Sequence, residues 1–263
     1  MKARSHPSPR PSGDTRRPAT TAHDGRASAQ ARSRARTGDA SQRHGVALNR
    51  RSLLITLLAA GLGPWAQASQ VPPVENAVAQ LQREWETIRY QKAASDREKW
   101  FEGLATKAHM VSETYEGRAE PLIWEGIVLG SLAEQKGGLG ALPLLKQARS
   151  RFEQALHIND QALEGSAYTG LGVLYYKAPG WPLSFGDKAQ ARALLTKALS
   201  LQPRGLDANY FYAEYLVESR QQAQALPYLQ KALTAPDDPG RPLTNAARRQ
   251  EARALLDRIR QAR

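Results

Sequence analysis

Two seven-residue stretches decide the fold of this chain: ALLTKAL at 193–199 and PYLQKAL at 227–233. Both have apolar residues three and four positions apart, as on one face of an α-helix, and the second stretch follows the first after 34 residues. The matching positions are Ala191 with Ala225, Leu195 with Leu229, and Ala198 with Ala232. A fixed offset of this size predicts a helical repeat protein.

An earlier helix carries the same internal spacing at Ala148, Phe152 and Ala155. Each of these three helices is preceded by another helical segment with a small residue at its centre, namely Gly126, Gly172 or Ala213. Small residues let two helix backbones approach closely, while Tyr, Phe and Leu fill the neighbouring turns. One such hairpin cannot bury its own apolar face, so the pattern predicts an all-α, extended solenoid of stacked antiparallel helix pairs.

The spacing of Tyr168, Leu171, Gly172 and Tyr175 resembles the first helix of a tetratricopeptide repeat (TPR). The resemblance covers about residues 119 to 236 and implies that the first helices line a concave binding surface. The repeat has insertions: the loop inside the helix pair is predicted to be about ten residues too long in the first unit and about seven in the second.

We predict a single TPR-like domain over residues 69–263. Its repeat units fall at about 119–160, 162–203 and 207–236, preceded by helices at about 74–92 and 96–116 and followed by a C-terminal capping helix at about 244–261. That last helix interleaves Arg and acidic residues with an apolar stripe, which is typical of a solvated amphipathic helix.

The segment NRRSLLITLLAAGLGPWAQA at 49–68 reads as a signal peptide, because two arginines precede an apolar stretch that ends in an A-x-A site. We predict a signal peptide over 46–68, export by Sec or Tat with cleavage near Ala68, and a periplasmic or secreted product. The apolar stretch is shorter than the roughly 20 residues that span a membrane. Residues 1–45 lack apolar periodicity, so we expect them to be disordered or to precede a true start at Val46.

The charge of the chain is concentrated in this leader. The net charge is +12, but residues 1–51 hold twelve Lys and Arg against three Asp, leaving 25 basic against 22 acidic residues. Because the excess lies outside the predicted fold, we do not expect a nucleic-acid partner. With no cysteine, the chain has no disulfide, thiolate metal site, cysteine nucleophile or lipid-modified cysteine.

No residue pattern in the chain is typical of catalysis. After the leader only His109 and His157 remain, and neither has a second ligand at a metal-binding spacing. The glycine-rich segment at 137–142 lacks the Gly-Lys-Ser/Thr of a phosphate-binding loop and is interpreted as a hairpin loop. We therefore expect no enzyme activity, no cofactor and no metal.

The segment YYKAPGWPLSFGD at 175–187 is the most distinctive in the chain, since Pro179 and Pro182 stiffen the backbone around aromatic residues. Trp181 and Phe185 either stand out as a binding hot spot or fold back over the helix ends. On the third unit, residues of the first helix are candidates for the concave surface. The candidate partner-binding residues are Tyr176, Trp181, Phe185, Asn209, Tyr210 and Glu214.

These observations favour an exported, non-catalytic interaction or scaffold module that binds a protein or peptide. The alternative comes from a second resemblance: an export leader followed by irregular TPR units with long loops is similar to the T-component proteins of TRAP transport systems. That resemblance implies a periplasmic solute-binding protein as partner, or an apolar ligand. Relatives of this kind are usually lipid-anchored, which a cysteine-free chain cannot be.

Overall fold

The structure is a computed structural model that describes residues 71–261, and the predicted leader lies outside this range. The described part contains nine α-helices, which confirms the predicted all-α class. They are α1 (Val74–Gln91), α2 (Arg97–Thr114), α3 (Ala119–Lys136), α4 (Ala141–Ile158), α5 (Ser166–Lys177), α6 (Lys188–Leu201), α7 (Leu206–Glu218), α8 (Gln222–Leu233) and α9 (Pro242–Gln261).

Helices α3 to α8 form three hairpins in which the small residues sit where two helices touch. A Cβ atom built on Gly126 of α3 would lie 2.8 Å from the ring of Phe152 in α4. In the next hairpin, a Cβ on Gly172 would lie 2.7 Å from Cγ of Leu195. Both distances are shorter than a van der Waals contact, so the close helix packing depends on glycine at these positions.

The first hairpin differs from the prediction in where its extra residues go. Helices α3 and α4 have 18 residues each, and only residues 137–140 join them. The predicted long loop in this unit is therefore wrong, because the additional residues extend the helices. Leu132 in the last turns of α3 is buried with α1 and α2, and Leu144 of α4 packs on the same cluster. This burial stabilises the extra helical turns.

The stack curves until its two ends meet. Helices α1, α3, α5, α7 and α9 contact one another in succession, and α9 also contacts α1. At this junction the side-chain amide of Gln82 donates to the backbone oxygen of Gly240 at 2.8 Å. The solenoid class is as predicted, but the described part of it is closed rather than extended, because α9 packs against α1.

Glu125 of α3 stands where the second unit has Leu171, and it is also buried, with 3% of its surface exposed. Its Oε1 lies 3.0 Å from Nε of Arg151 in α4 and 3.1 Å from Nδ1 of His109 in α2. A buried charge persists only where it is paired. Glu125 therefore replaces an apolar residue of the repeat pattern with an ion pair that connects three helices.

Between residues 71 and 261, no helix is both long and apolar enough to cross a membrane.

Candidate functional site

The loop between α5 and α6, residues 178–187, is held at both ends by backbone hydrogen bonds. The N–H of Gly186 donates to the oxygen of Pro179 at 2.9 Å, and the N–H of Asp187 donates to Tyr175 at 2.9 Å. A Cβ on Gly186 would lie 2.1 Å from the oxygen of Ala178, so only glycine allows the two loop ends to come this close. The loop therefore projects from the helical stack, and these hydrogen bonds restrain its backbone.

Asp187 also begins the next helix. Its carboxylate accepts the backbone N–H groups of Ala189 at 2.7 Å and Gln190 at 3.1 Å, as an N-cap residue does. Because one residue closes the loop and caps α6, the position of the loop is coupled to that of the helix.

The sequence left open whether Trp181 and Phe185 are exposed or fold back over the helix ends. In the structure the two side chains differ. The Trp181 side chain projects into solvent with 89% of its surface exposed, and Leu183 beside it is 62% exposed. Phe185 instead folds back, and its ring meets Tyr175 edge-on with 5.4 Å between centroids. The loop thus packs one aromatic, partly buried, against Tyr175 and exposes the other to solvent.

A cleft of about 390 Å³ lies between this loop and α4. One wall consists of polar side chains of α4, namely Lys146, Arg149, Ser150 and Glu153. The other wall consists of the loop residues Pro182, Leu183, Ser184 and Phe185. Trp181 directly precedes Pro182 of the cleft wall in the chain, and the cleft together with Trp181 is called the Trp181 site below.

The α4 wall of this cleft was missed by the sequence reasoning. Lys146, Arg149 and Glu153 lie three and four residues apart, which places them on one face of the helix. That pattern alone is typical of an ordinary solvated face. Only the hairpin packing, which sets α4 beside the loop after α5, shows that this face belongs to a cleft.

Three of the remaining candidates form a hydrogen-bonded cluster between α5 and α7. The hydroxyl of Tyr176 donates to Oε2 of Glu214 at 2.5 Å, and the hydroxyl of Tyr210 donates to Oε1 at 3.3 Å. Burial, reinforced by the Glu214 carboxylate, raises the pKa of Tyr176 well above its ordinary value, so this hydroxyl stays protonated. The rings of Tyr176 and Tyr210 are only 7% and 6% exposed.

These positions correct the prediction that Tyr176 and Tyr210 face a partner. Their apolar rings are buried between neighbouring first helices, and Tyr210 is also covered by the guanidinium of Arg248 at 4.7 Å. The cluster shares no hydrogen bond or ring contact with Trp181 among the described residues. It links two repeat units and does not extend the Trp181 site.

Asn209 was predicted on the concave surface, and the structure places it in the interior with 0% exposure. Its Nδ2 donates to the backbone oxygens of Pro203 at 3.1 Å and Gly205 at 2.8 Å. A buried amide is retained where it satisfies backbone groups that a turn leaves unpaired. Asn209 therefore stabilises the turn before α7.

The two histidines are distributed over separate helices. His109 of α2 contacts Glu125 and also lies 3.3 Å from Oε1 of Glu113, while His157 lies in the last turn of α4. Over residues 71–261, no group of three or more His, Asp or Glu side chains is placed to hold a metal ion.

Comparison with known proteins places these features in a family. Among solved structures, the chain is similar to a thermophilic TPR protein of Thermus thermophilus, with 18% identity, a TM-score of 0.45, and coverage of 71% of this chain and 90% of that one. A search of curated proteins returned no match. The family model described as TRAP transporter T-component matches residues 87–262, from the end of α1 to the end of α9. Since this match spans well over half of the sequence, the chain belongs to the TRAP transporter T-component family.

Proposed function

We propose that this chain is a non-catalytic accessory subunit of a TRAP-type transport system that binds a protein partner through the Trp181 site. The observation that carries the proposal is the exposure of Trp181, at 89%, on a loop that backbone hydrogen bonds hold in place. Family membership supports the transport setting, and the helix-hairpin architecture supports a role in binding.

An exposed tryptophan on a restrained loop suits a binding contact for two reasons. Its large ring provides more apolar area than any other side chain, so its burial by a partner contributes strongly to affinity. The restrained backbone means that little conformational entropy is lost on binding. Leu183, 62% exposed on the same loop, enlarges the apolar surface.

The proposed partner is a periplasmic solute-binding protein. This choice rests on the T-component family together with the signal peptide predicted over 46–68, which would bring the chain to the same compartment. A T-component that contacts the solute-binding protein would act on the delivery of solute without any chemical step of its own.

Site-specific crosslinking in cells tests the proposal. A photoreactive phenylalanine analogue is placed at position 181 and, as a control, at position 100, where Trp100 is 49% exposed on α2. We expect irradiation to attach one discrete periplasmic protein at position 181 and not at position 100, and mass spectrometry to identify it as a solute-binding protein. No adduct at 181, or the same adducts at both positions, would contradict the proposed site.

The export proposal has its own measurement. N-terminal sequencing of the chain recovered from the periplasm should begin at Ser69, directly after the A-x-A site that ends at Ala68. Recovery of only the unprocessed chain, in the cytoplasm, would contradict export and, with it, the choice of a periplasmic partner.

A further inference from the structure

Arg149 forms part of the cleft wall with its guanidinium already held in one orientation. Its Nε donates to Oε1 of Glu153 at 2.7 Å, and its charged group lies over the rings of Phe185 at 5.1 Å and Tyr175 at 5.5 Å. Its two terminal nitrogens donate no hydrogen bond to any residue between 71 and 261. The planar guanidinium therefore keeps unused donors in the fork geometry that matches a carboxylate.

A second positive charge stands one helical turn away. Lys146 is exposed, lines the same cleft, and forms no ion pair with the residues that the structure describes. The one acidic side chain in the lining, Glu153, is already engaged by Arg149. The uncompensated charge of the cleft is therefore positive.

The loop wall is formed by Pro182, Leu183, Ser184 and Phe185. Oγ of Ser184 lies beneath the surface of this wall, so the polar groups that a partner can reach are those of α4. The volume of about 390 Å³ is at the lower end of the range for ligand pockets, which suits a few side chains of a protein segment.

We propose that the cleft receives an acidic side chain of the partner protein, paired with Lys146 and Arg149, while a neighbouring apolar side chain of the same segment packs on Trp181 and Leu183. This inference rests on the proposed function and specifies the chemistry of the partner. A carboxylate suits the two cations, and the adjoining exposed apolar surface suits a peptide segment rather than a free small acid.

Selection from a random dodecapeptide phage library against the full-length chain tests the proposal. We expect enriched sequences in which Asp or Glu lies within a few residues of a large apolar residue. A synthetic peptide of the enriched sequence should bind Lys146→Glu about tenfold more weakly, because the variant replaces an attraction with a repulsion. The control is Lys99→Glu, which makes the same charge change at an exposed lysine of α2 and should leave the affinity unchanged.

A charge-swapped peptide completes the test. When its acidic residues are replaced by lysine, binding should be lost with the natural chain and recovered with Lys146→Glu. Enrichment of neutral or basic peptides, equal binding by Lys146→Glu and the natural chain, or binding of free succinate but no peptide would each overturn the proposal. A crosslinked partner at position 181 combined with any of these results would refute the acidic segment while keeping the proposed function.

Discussion

The carboxylate of Glu86 in α1 accepts the backbone N–H of Thr244 in the first turn of α9 at 2.8 Å, although the two residues are 158 positions apart. Glu86 is 3% exposed and Thr244 is 1% exposed. The first turn of a helix has backbone N–H groups without partners inside the helix, and a negative charge there is favourable. The first helix of the stack thus caps the last one.

Glu86→Ala should lower the free energy of unfolding by about 1 to 3 kcal/mol, because it leaves a buried N–H without a partner. Urea unfolding followed by circular dichroism measures this. Glu75→Ala serves as control, since Glu75 is exposed and pairs only with exposed Arg118, and it should change the value by less than about 1 kcal/mol. Equal effects of both substitutions would show that the capping contact contributes little.

Asp207 of α7 should make the fold sensitive to strong acid. Burial alone would raise its pKa, but the guanidinium groups of Arg241 and Arg248, at 2.7 and 2.8 Å, lower it to about 2. A carboxyl whose pKa is lower in the folded chain stabilises the fold above its unfolded pKa, near 3.8, and this stabilisation is lost as the pH falls towards 2. Asp207→Asn should remove the contribution, on the order of 2 kcal/mol.

The measurement is the free energy of unfolding at pH 5, 3.5 and 2 for the natural chain and two variants. The difference between the natural chain and Asp207→Asn should be largest at pH 5 and shrink as the pH falls. Asp257→Asn, at an exposed residue with only a 3.6 Å contact to Arg260, should follow the natural chain at every pH. A gap for Asp207→Asn that does not change with pH would rule out this assignment.

Replacement by alanine should change the stability of the fold in opposite directions at two helical glycines. A Cβ on Gly170 of α5 would lie 2.4 Å from the ring of buried Phe152, whereas nothing lies within 4 Å of one on Gly103 of α2. Gly170→Ala should therefore lower the melting temperature, at a cost of about 1 to 3 kcal/mol. Gly103→Ala should raise it, by about 0.5 to 1 kcal/mol, because alanine favours a helix. Stabilisation by both would mean that Phe152 can move aside.

Substitutions of Trp181 and Phe185 should differ in their effect on stability while both weaken binding of the peptide. Trp181→Ala removes an exposed ring and should change the free energy of unfolding by less than about 0.5 kcal/mol. Phe185→Ala removes the packing on Tyr175 and Arg149, and should cost about 1 to 2 kcal/mol. Both variants should weaken binding of the selected peptide, as measured by calorimetry. A large loss of stability in Trp181→Ala would show that its ring has a structural role.

Much of the fold was predictable because it follows from local periodicity. The second helix of each hairpin was located by small and apolar residues such as Ala191 and Leu195, and both are buried against the first helix. The candidate site was predictable only in part. The loop composition indicated a rigid segment at Trp181, but the α4 wall carries no local signal that connects Arg149 to loop residues 182–185, which lie more than 30 positions later.

The sequence by itself determined the helices and their pairing into hairpins, since a 34-residue repeat and residues such as Gly172 dictate close contacts between neighbours in the chain. The tertiary structure alone decided that α9 returns to α1, that Asn209 faces inward, and that α4 forms one wall of the cleft. The physical reason is that local periodicity does not specify how elements pack on one another. The cleft depends on the packing of α4 against the next hairpin, and the position of Asn209 depends on the turn that it closes. The return of α9 to α1 depends on every hairpin between them, so contacts such as Glu86 with Thr244 form only when the stack is complete.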